Sequence, residues 1–292
     1  MTEAEFQYLR EMLHKKSGLS LTIEKRYLVE SRLGSLCRRR KIDSIGELVR
    51  MIRFGSNPEL ENAVIEAMTT NETLFFRDRV PFELFSKVVL PEALERNRTS
   101  RTLRIWCAAV STGQEAYSLA MILDDMAAQL AGWRIDIVGT DISEEVLQKA
   151  RAGLYSQFEM QRGLPTPMLL KHFTQDSDQW RISQKLRNMV QLKRLNLLED
   201  TGSLGTFDII FCRNVLIYFD LITKAKVMGE LARRLKPEGA LLLGAAETVI
   251  GICDAFTPDR TNRGLYRPAD PKAINVGLPL APRLLAALGQ RA

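Results

Sequence analysis

The sequence predicts a doubly wound α/β domain preceded by a small all-helical one, and three observations carry that prediction. Residues 1–68 show helical periodicity and nothing else. From residue 99 onward, strand-like apolar runs alternate with helical patterns, which implies a parallel sheet with helices on both faces. Polar residues stand directly after three of those runs, where an open α/β sheet binds its ligands.

In the helical region, apolar residues recur at helical intervals: Phe6, Leu9, Leu13; Val29, Leu33, Leu36; Leu48, Ile52; Leu60, Val64, Ile65. The pattern breaks at Ser17-Gly18 and at the GSNP of 55–58. The net charge of the 292-residue chain is +6, and it is concentrated in one place. Between Glu24 and Lys41, seven basic residues (Lys25, Arg26, Arg32, Arg38, Arg39, Arg40, Lys41) face two acids, Glu24 and Glu30, a local +5. Lys25, Arg32 and Arg39 repeat at intervals of seven, drifting only ~20° per step, so they share one side of a helix. A plain solvated face would intersperse more acids. Their scarcity favours an acidic partner.

Residues 69–98 connect this region to the sheet. They begin with the aperiodic NETLFFRD of 71–78, continue as a helix over Pro81–Leu94 and end in a polar break at Glu95–Ser100. The first strand, Leu103–Cys107, leads through AAVSTG into a helix over Glu115–Met126. The second, Ile135–Val138, ends in GTD. The helix after it starts at Ser143, an N-cap followed by two acids. The third, Phe207–Phe211, precedes a helix over Leu221–Leu235, after which Lys236–Gly239 turns into Ala240–Leu243. The α/β domain spans 99–270, with an insertion at 153–206 in which Trp180–Ile182 and Val190–Leu195 would form a small hairpin. Residues 271–292, rich in Pro, Ala and Leu, are expected to be a peripheral tail.

Composition narrows the chemistry. Hydrophobic residues make up 46% and charged residues 26%, as in ordinary soluble domains. No apolar run reaches the ~18 residues of a membrane span, and the N-terminus is amphipathic and acid-bearing, unlike a secretory signal, so a cytoplasmic protein is expected. The four cysteines are scattered without a CxxC pair, which suits neither zinc nor a disulfide framework. Cys107 and Cys212 are expected as buried free thiols. His14 and His172 have no partner cluster and are expected at the surface. No metal is expected, and the reaction must run without histidine.

The three strand ends suggest a ligand. In AAVSTGQE, small residues and Gly113 let the backbone approach, and Glu115 opens the next helix. Asp141 stands where an acid would hydrogen-bond a ribose diol. Arg213 and Asn214 face the other end of the ligand. The GxGxxG that a dinucleotide pyrophosphate requires is absent, which disfavours NAD and FAD. A phosphate-free adenosine ligand, S-adenosyl-L-methionine, remains compatible.

Taken together, TTNETLFFRD (69–78), IWCAAVSTGQEAYSLAM (105–121), GTDIS (139–143), RGLP (162–165), LNLL (195–198), FDIIFCRNVLIYFD (207–220) and LKPEGALLLGAAE (235–247) closely resemble the CheR-type chemotaxis protein methyltransferases. The resemblance runs from the N-terminal helices to about residue 267. It implies a small helical domain, a class I (Rossmann-like) methyltransferase domain with an inserted β subdomain, and methyl transfer from S-adenosylmethionine to glutamate side chains of bacterial chemoreceptors, leaving S-adenosyl-L-homocysteine. It further implies that Asn71, Thr73 and Arg77 contact the methionine end of the cofactor and that Glu115 and Asp141 bind it, Asp141 through the ribose. Asn196 and Leu197 would flank the adenine, Arg213 and Asn214 would close the pocket, and Tyr218 would point toward the methyl group. Arg77 and Tyr218 would orient the incoming carboxylate.

Lys25, Arg32 and Arg39 would dock the glutamate-bearing cytoplasmic helices of the receptor, and the 153–206 insertion matches the subdomain that in some members holds a receptor's C-terminal peptide. The chain has Val110, Gln114 and Ala116 where the family more often has cysteine, glutamate and proline. A nucleic acid methyltransferase is the main rival, but the Asn/Asp-Pro-Pro-aromatic and Pro-Cys clusters of such enzymes are absent after the third strand. A non-catalytic cofactor-binding adaptor is the other. Neither nucleic acid binding nor membrane insertion is expected.

Overall fold

The computed structural model describes residues 1–55 and 57–269, so the expected tail at 271–292 lies outside the described residues. Two compact units result. One comprises residues 1–70 with 218–223, the other the remaining described residues.

In the helical unit, α1 (Glu3–Ser17) starts with a capping box: Glu5 N–H donates to Thr2 Oγ1 and Thr2 N–H to Glu5 Oε2. Gly18 ends the helix at φ 74°, a conformation that favours glycine. Then come α2 (Arg26–Arg40), α3 (Ile45–Gly55) and α4 (Pro58–Met68). The Asn57 side chain caps α4 and proline opens it. The apolar residues whose spacing predicted these helices are the ones they bury, Phe6, Leu9, Val29, Leu33, Leu48 and Val64 among them. Residues 218–223, distant in sequence, complete the unit. Ser20 N–H donates to Tyr218 O at 2.9 Å, and His14 Nε2 lies 2.7 Å from Asp220 Oδ2. A Cβ on Gly18 would come within 2.9 Å of Thr223 Cγ2, so the close approach also requires glycine.

The second unit opens with the 71–78 strip and a helical run of α5 (Val80–Leu84), a π-helical turn (Phe85–Val89) and α6 (Leu90–Arg96). In chain order there follow β1 (Thr102–Ala108), α7 (Gln114–Asp125), β2 (Arg134–Asp141) and α8 (Glu144–Ala152). The insertion holds β3 (Leu154–Ser156), α9 (Gln157–Gln161), α10 (Thr166–His172), β4 (Phe173–Asp176), β5 (Gln179–Ile182) and α11 (Gln184–Met189). The chain then continues with β6 (Val190–Arg194), β7 (Phe207–Cys212), α12 (Leu221–Arg234), β8 (Leu235–Leu243), β9 (Phe256–Pro258) and β10 (Leu265–Pro268). The main sheet has the order β6-β2-β1-β7-β8-β10-β9. Its first five strands are parallel, and β10 and β9 run antiparallel at the edge. Chain order reverses between β1 and β7, which makes that crevice the switch point where α/β sheets bind ligands. Every residue of β7 is buried, as a central parallel strand with both faces covered requires.

Four expectations change. Trp180–Ile182 and Val190–Leu195 do not pair. α11 separates them, and β5 sits between β3 and β4 in a small three-stranded sheet while β6 joins β2 in the main one. The edge strands β9 and β10 were not foreseen, because their short runs lack a clear period. Lys236–Gly239 is not a turn before the strand but an irregularity inside β8, whose register against β7 jumps from Phe207↔Leu235 to Ile209↔Ala240. His172 is buried, not at the surface. It packs near Asp124 and Asp125, and burial pulls its pKa below the ordinary imidazole value. Cys107 and Cys212 are buried thiols as expected, and desolvation raises both far above their usual range.

Candidate active site

The predicted residues of the sheet unit gather at the carboxyl edge of the parallel strands, in spatial order. Asn196 and Leu197 follow β6, Asp141 ends β2, Ser111–Gly113 follow β1, and Arg213 and Asn214 follow β7. Sequence order differs from this spatial order. Only the sheet topology aligns them.

Each acid has a defined role in the loops. Asp141 is buried, and its carboxylate accepts the N–H of Ser111 on Oδ2 (2.9 Å) and that of Ser143 on Oδ1 (3.0 Å). It thereby ties the β1 loop to the β2 loop. Glu115, in the first turn of α7, is also buried. Desolvation raises its pKa, an effect only partly offset by the guanidinium of Arg213, whose Nη1 donates to Glu115 Oε2 at 2.8 Å. Arg213 is itself enclosed. Its Nη2 donates to Arg77 O and to Asp78 Oδ2, both at 2.8 Å, its plane lies over the Phe82 ring, and its buried Nε–H has no protein acceptor among the described residues.

NETLFFRD lies against this edge. Ser111 Oγ donates to Asn71 O (2.8 Å), Phe76 N–H donates to Ser118 Oγ (3.0 Å), and Arg213 holds Arg77 and Asp78. Arg77 Nη1 turns back to Glu72 O at 2.6 Å, and Arg162 of the RGLP segment pairs with the Glu72 carboxylate and holds its pKa low. The two phenylalanines anchor the strip. Phe75 is fully buried, edge-on to Tyr155 (5.0 Å between centroids) and Phe173 (5.5 Å), and Phe76 meets Phe82 at 5.4 Å. At Gly163 a Cβ would collide with Phe75 O at 2.1 Å, which accounts for the glycine of RGLP.

Backbone strain is concentrated here. Nine described non-glycine residues have positive φ, and six of them (Phe76, Asp78, Arg79, Ala109, Ser111, Asn214) lie in the loops just described. Arg79, at φ 50° and ψ −52° with Val80 N–H donating to Asp78 O, forms a γ-turn of the strained hand. Strain of this kind persists only where surrounding contacts over-determine it, and it collects at functional sites.

The sequence did not single out Asp78, Ser118 or Glu247. Asp78 stood inside a quoted motif, but nothing linear couples it to residue 213. Glu247 closes the LKPEGALLLGAAE motif, yet its carboxylate reaches across to residues 214–216.

The other predicted residues belong to the helical unit. Tyr218 clusters there. Lys25 and Arg39 are exposed, Lys25 in the single turn before α2. Arg32 is engaged: its Nη1 donates to Met68 O (2.6 Å) and Thr69 O (2.8 Å), closing the carboxyl end of α4, and its Nη2 donates to Thr70 Oγ1. The acids missing from the stripe itself are supplied from elsewhere. Arg40 pairs with Glu59, and Arg26 with Glu3 as well as Glu30.

A doubly wound sheet with a buried aspartate ending β2, a buried glutamate opening α7 and no GxGxxG loop suits a class I, S-adenosylmethionine-dependent methyltransferase. Residues 71–264 match the family described as CheR methyltransferase, SAM binding domain, and residues 4–69 its all-alpha domain. Chemotaxis protein methyltransferase 1 of Pseudomonas aeruginosa is 41% identical over 269 residues, covering 90% of this chain and 97% of its own. Chemotaxis protein methyltransferase Cher2 of Pseudomonas putida is 39% identical, covering 89% and 96%. The Salmonella typhimurium chemotaxis protein methyltransferase is 33% identical, covering 88% of both. The chain belongs to the CheR chemotaxis methyltransferase family.

Proposed function

We propose that the chain methylates glutamate side chains on the cytoplasmic helices of bacterial chemoreceptors, forming glutamate methyl esters for sensory adaptation. The observation that supports this most is the row of Asn196 and Leu197, Asp141, Ser111–Gly113 and Arg213 and Asn214 along one sheet edge, in a chain whose relatives are chemotaxis methyltransferases.

S-adenosylmethionine, when bound, supplies a methyl group on a sulfonium. The residues present suit it. Asp141, buried where β2 meets this edge, is assigned to the ribose, and Glu115, raised by burial, gains from a cationic amino group beside it. Asn71, Thr73 and Arg77 take the methionine end, Asn196 and Leu197 flank the adenine, and Gly113, Arg213 and Asn214 bound the pocket. Val110 and Ala116 are buried packing positions, and the buried Gln114 accepts from Thr112 Oγ1 and donates to Glu159.

A glutamate side chain has a pKa of ~4.3 and is ionised near neutrality, so the acceptor needs no general base. This agrees with histidines that are already engaged, His172 by burial and His14 by Asp220. The catalytic demand is to desolvate the acceptor and align it, and alignment alone is worth up to ~7–11 kcal/mol. Arg77 and Tyr218 are assigned to orient the acceptor. Lys25, in the turn before α2, and Arg39, on α2, provide exposed charge for docking, with Arg32 holding α2 against α4. The edges β3 and β4 of the small sheet offer free backbone for a receptor's C-terminal peptide.

The test is transfer of labelled methyl from S-adenosylmethionine to receptor-bearing membranes, read as base-labile label, with DNA as the competing acceptor. Label on DNA alone, or cofactor binding without any transfer, would replace this reading with one of its two rivals. Arg77→Ala and Tyr218→Phe should each reduce receptor methylation at least tenfold, and parental rates in both would remove the orienting role. Rising salt should weaken methylation as the docking charges are screened.

A further inference from the structure

We propose that Glu247 is a positioning residue for cofactor binding, acting through Asn214; this rests on the S-adenosylmethionine-dependent reading above. Glu247 stands in the loop after β8, and its carboxylate accepts four backbone N–H groups. Oε2 takes those of Asn214 (2.9 Å) and Gly244 (2.8 Å), and Oε1 takes those of Val215 (2.9 Å) and Leu216 (2.8 Å). A carboxylate offers about four acceptor positions. With all of them used by the backbone, Glu247 has none left for a ligand.

Three of these bonds instead hold successive N–H groups of the β7 loop around one anion, a nest of the kind backbone forms about an acid or phosphate. The nest needs Asn214 in the left-handed region, where it sits at φ 59°. Asparagine tolerates that region better than most residues, but the conformation still has to be enforced. Glu247 enforces it from the neighbouring strand end. Gly244 permits this approach, since a Cβ there would lie 2.7 Å from Glu247 Oε2 and 3.1 Å from Asn214 N. The side chain of Asn214 is thereby aimed from a fixed backbone at the end of β7, beside Arg213. The same bonds hold Leu216, the first residue of the short turn that carries Tyr218.

The test is a double-mutant cycle on the full-length protein, with S-adenosylmethionine and S-adenosylhomocysteine affinities measured by calorimetry and melting followed in parallel. In Glu247→Gln the amide would set N–H against two N–H donors and release the nest. Cofactor affinity should fall ten- to a hundredfold, with circular dichroism retained. Asn214→Ala should weaken binding comparably, and the double variant should lose little more than either single one, because the two residues act as a unit. Should Glu247→Gln not fold, Gly244→Ala presses on the same carboxylate without altering any charge and should weaken binding at least tenfold. Cofactor affinity within twofold of the parent in the folded variant, or losses from Glu247→Gln and Asn214→Ala that simply multiply, would overturn the proposal. A parent protein that binds neither compound would instead overturn the cofactor reading itself.

Discussion

The two ends of β7 each hold a buried carboxylate beside a cation, yet the two acids respond in opposite directions. At the amino end, Asp208 is fully buried. It receives Asn97 Nδ2 and Lys236 Nζ on Oδ1 (both 2.8 Å) and the Arg104 N–H on Oδ2 (2.9 Å), with Arg96 3.7 Å away. Burial alone would raise its pKa, but these donors outweigh it and hold the group below the ordinary carboxyl range. At the carboxyl end, Glu115 shares its paired cation, Arg213, with Asp78, and burial raises its pKa despite Arg213 and Arg77. The first site is electrostatically complete. At the second, burial outweighs the nearby cations, and six strained backbone residues lie in the loops around it. One end of the strand is built for stability, and the other is the end we propose for the cofactor's ammonium.

That contrast can be broken most forcefully at Arg213. Arg213→Met leaves Glu115 buried without its partner, and removing one member of a buried pair costs about 3–5 kcal/mol. Urea denaturation should show that loss, and calorimetry should show S-adenosylmethionine affinity reduced at least a hundredfold. At the amino end, Asp208→Asn should cost about 1–3 kcal/mol, since it leaves buried donors unsatisfied, while cofactor affinity stays unchanged. The depressed pKa of Asp208 means its stabilising contribution is present above the ordinary carboxyl value and is lost as pH falls through the folded value. The acid limb of stability against pH should therefore be flatter in Asp208→Asn.

A gentler probe uses the raised pKa of Glu115. An ammonium-bearing ligand favours the ionised acid, so cofactor affinity should rise with pH, up to about tenfold per unit, until Glu115 is fully deprotonated. Binding in that window should release protons, which calorimetry in buffers of different ionisation enthalpy detects; proton uptake would contradict the charge demand assigned to this end. The smallest effect is expected at Ala109, held at φ 65°. A left-handed alanine costs roughly 1–2 kcal/mol and glycine's extra unfolded-state entropy returns part of it, so Ala109→Gly should stabilise by about 0.5–1 kcal/mol. Destabilisation there would mean that the loop is not strained.

Much of this molecule was legible in one dimension. Periodicity located the four N-terminal helices through residues such as Leu9, Val29 and Val64, and the apolar runs located β1, β2 and β7. Asp141 and Arg213 were recognisable because they end strands, and strand ends are where an α/β sheet exposes its loops. The inserted region resisted because Trp180–Ile182 and Val190–Leu195 both read as short strands, and only their neighbours decide which sheet each one joins. His172 resisted because one histidine in a polar context carries no sign of what later covers it.

Sequence alone therefore determined most element types and the cofactor class, since local periodicity and strand-end chemistry are short-range properties. Tertiary structure alone decided that Asp78 and Glu115 would share Arg213, that Glu247 would anchor residues 214–216, and that Arg32 would close α4 where a free docking charge was expected. Hydrogen bonds and ion pairs act over a few ångströms in space and are indifferent to separation along the chain, so partners 31–136 residues apart leave no local trace.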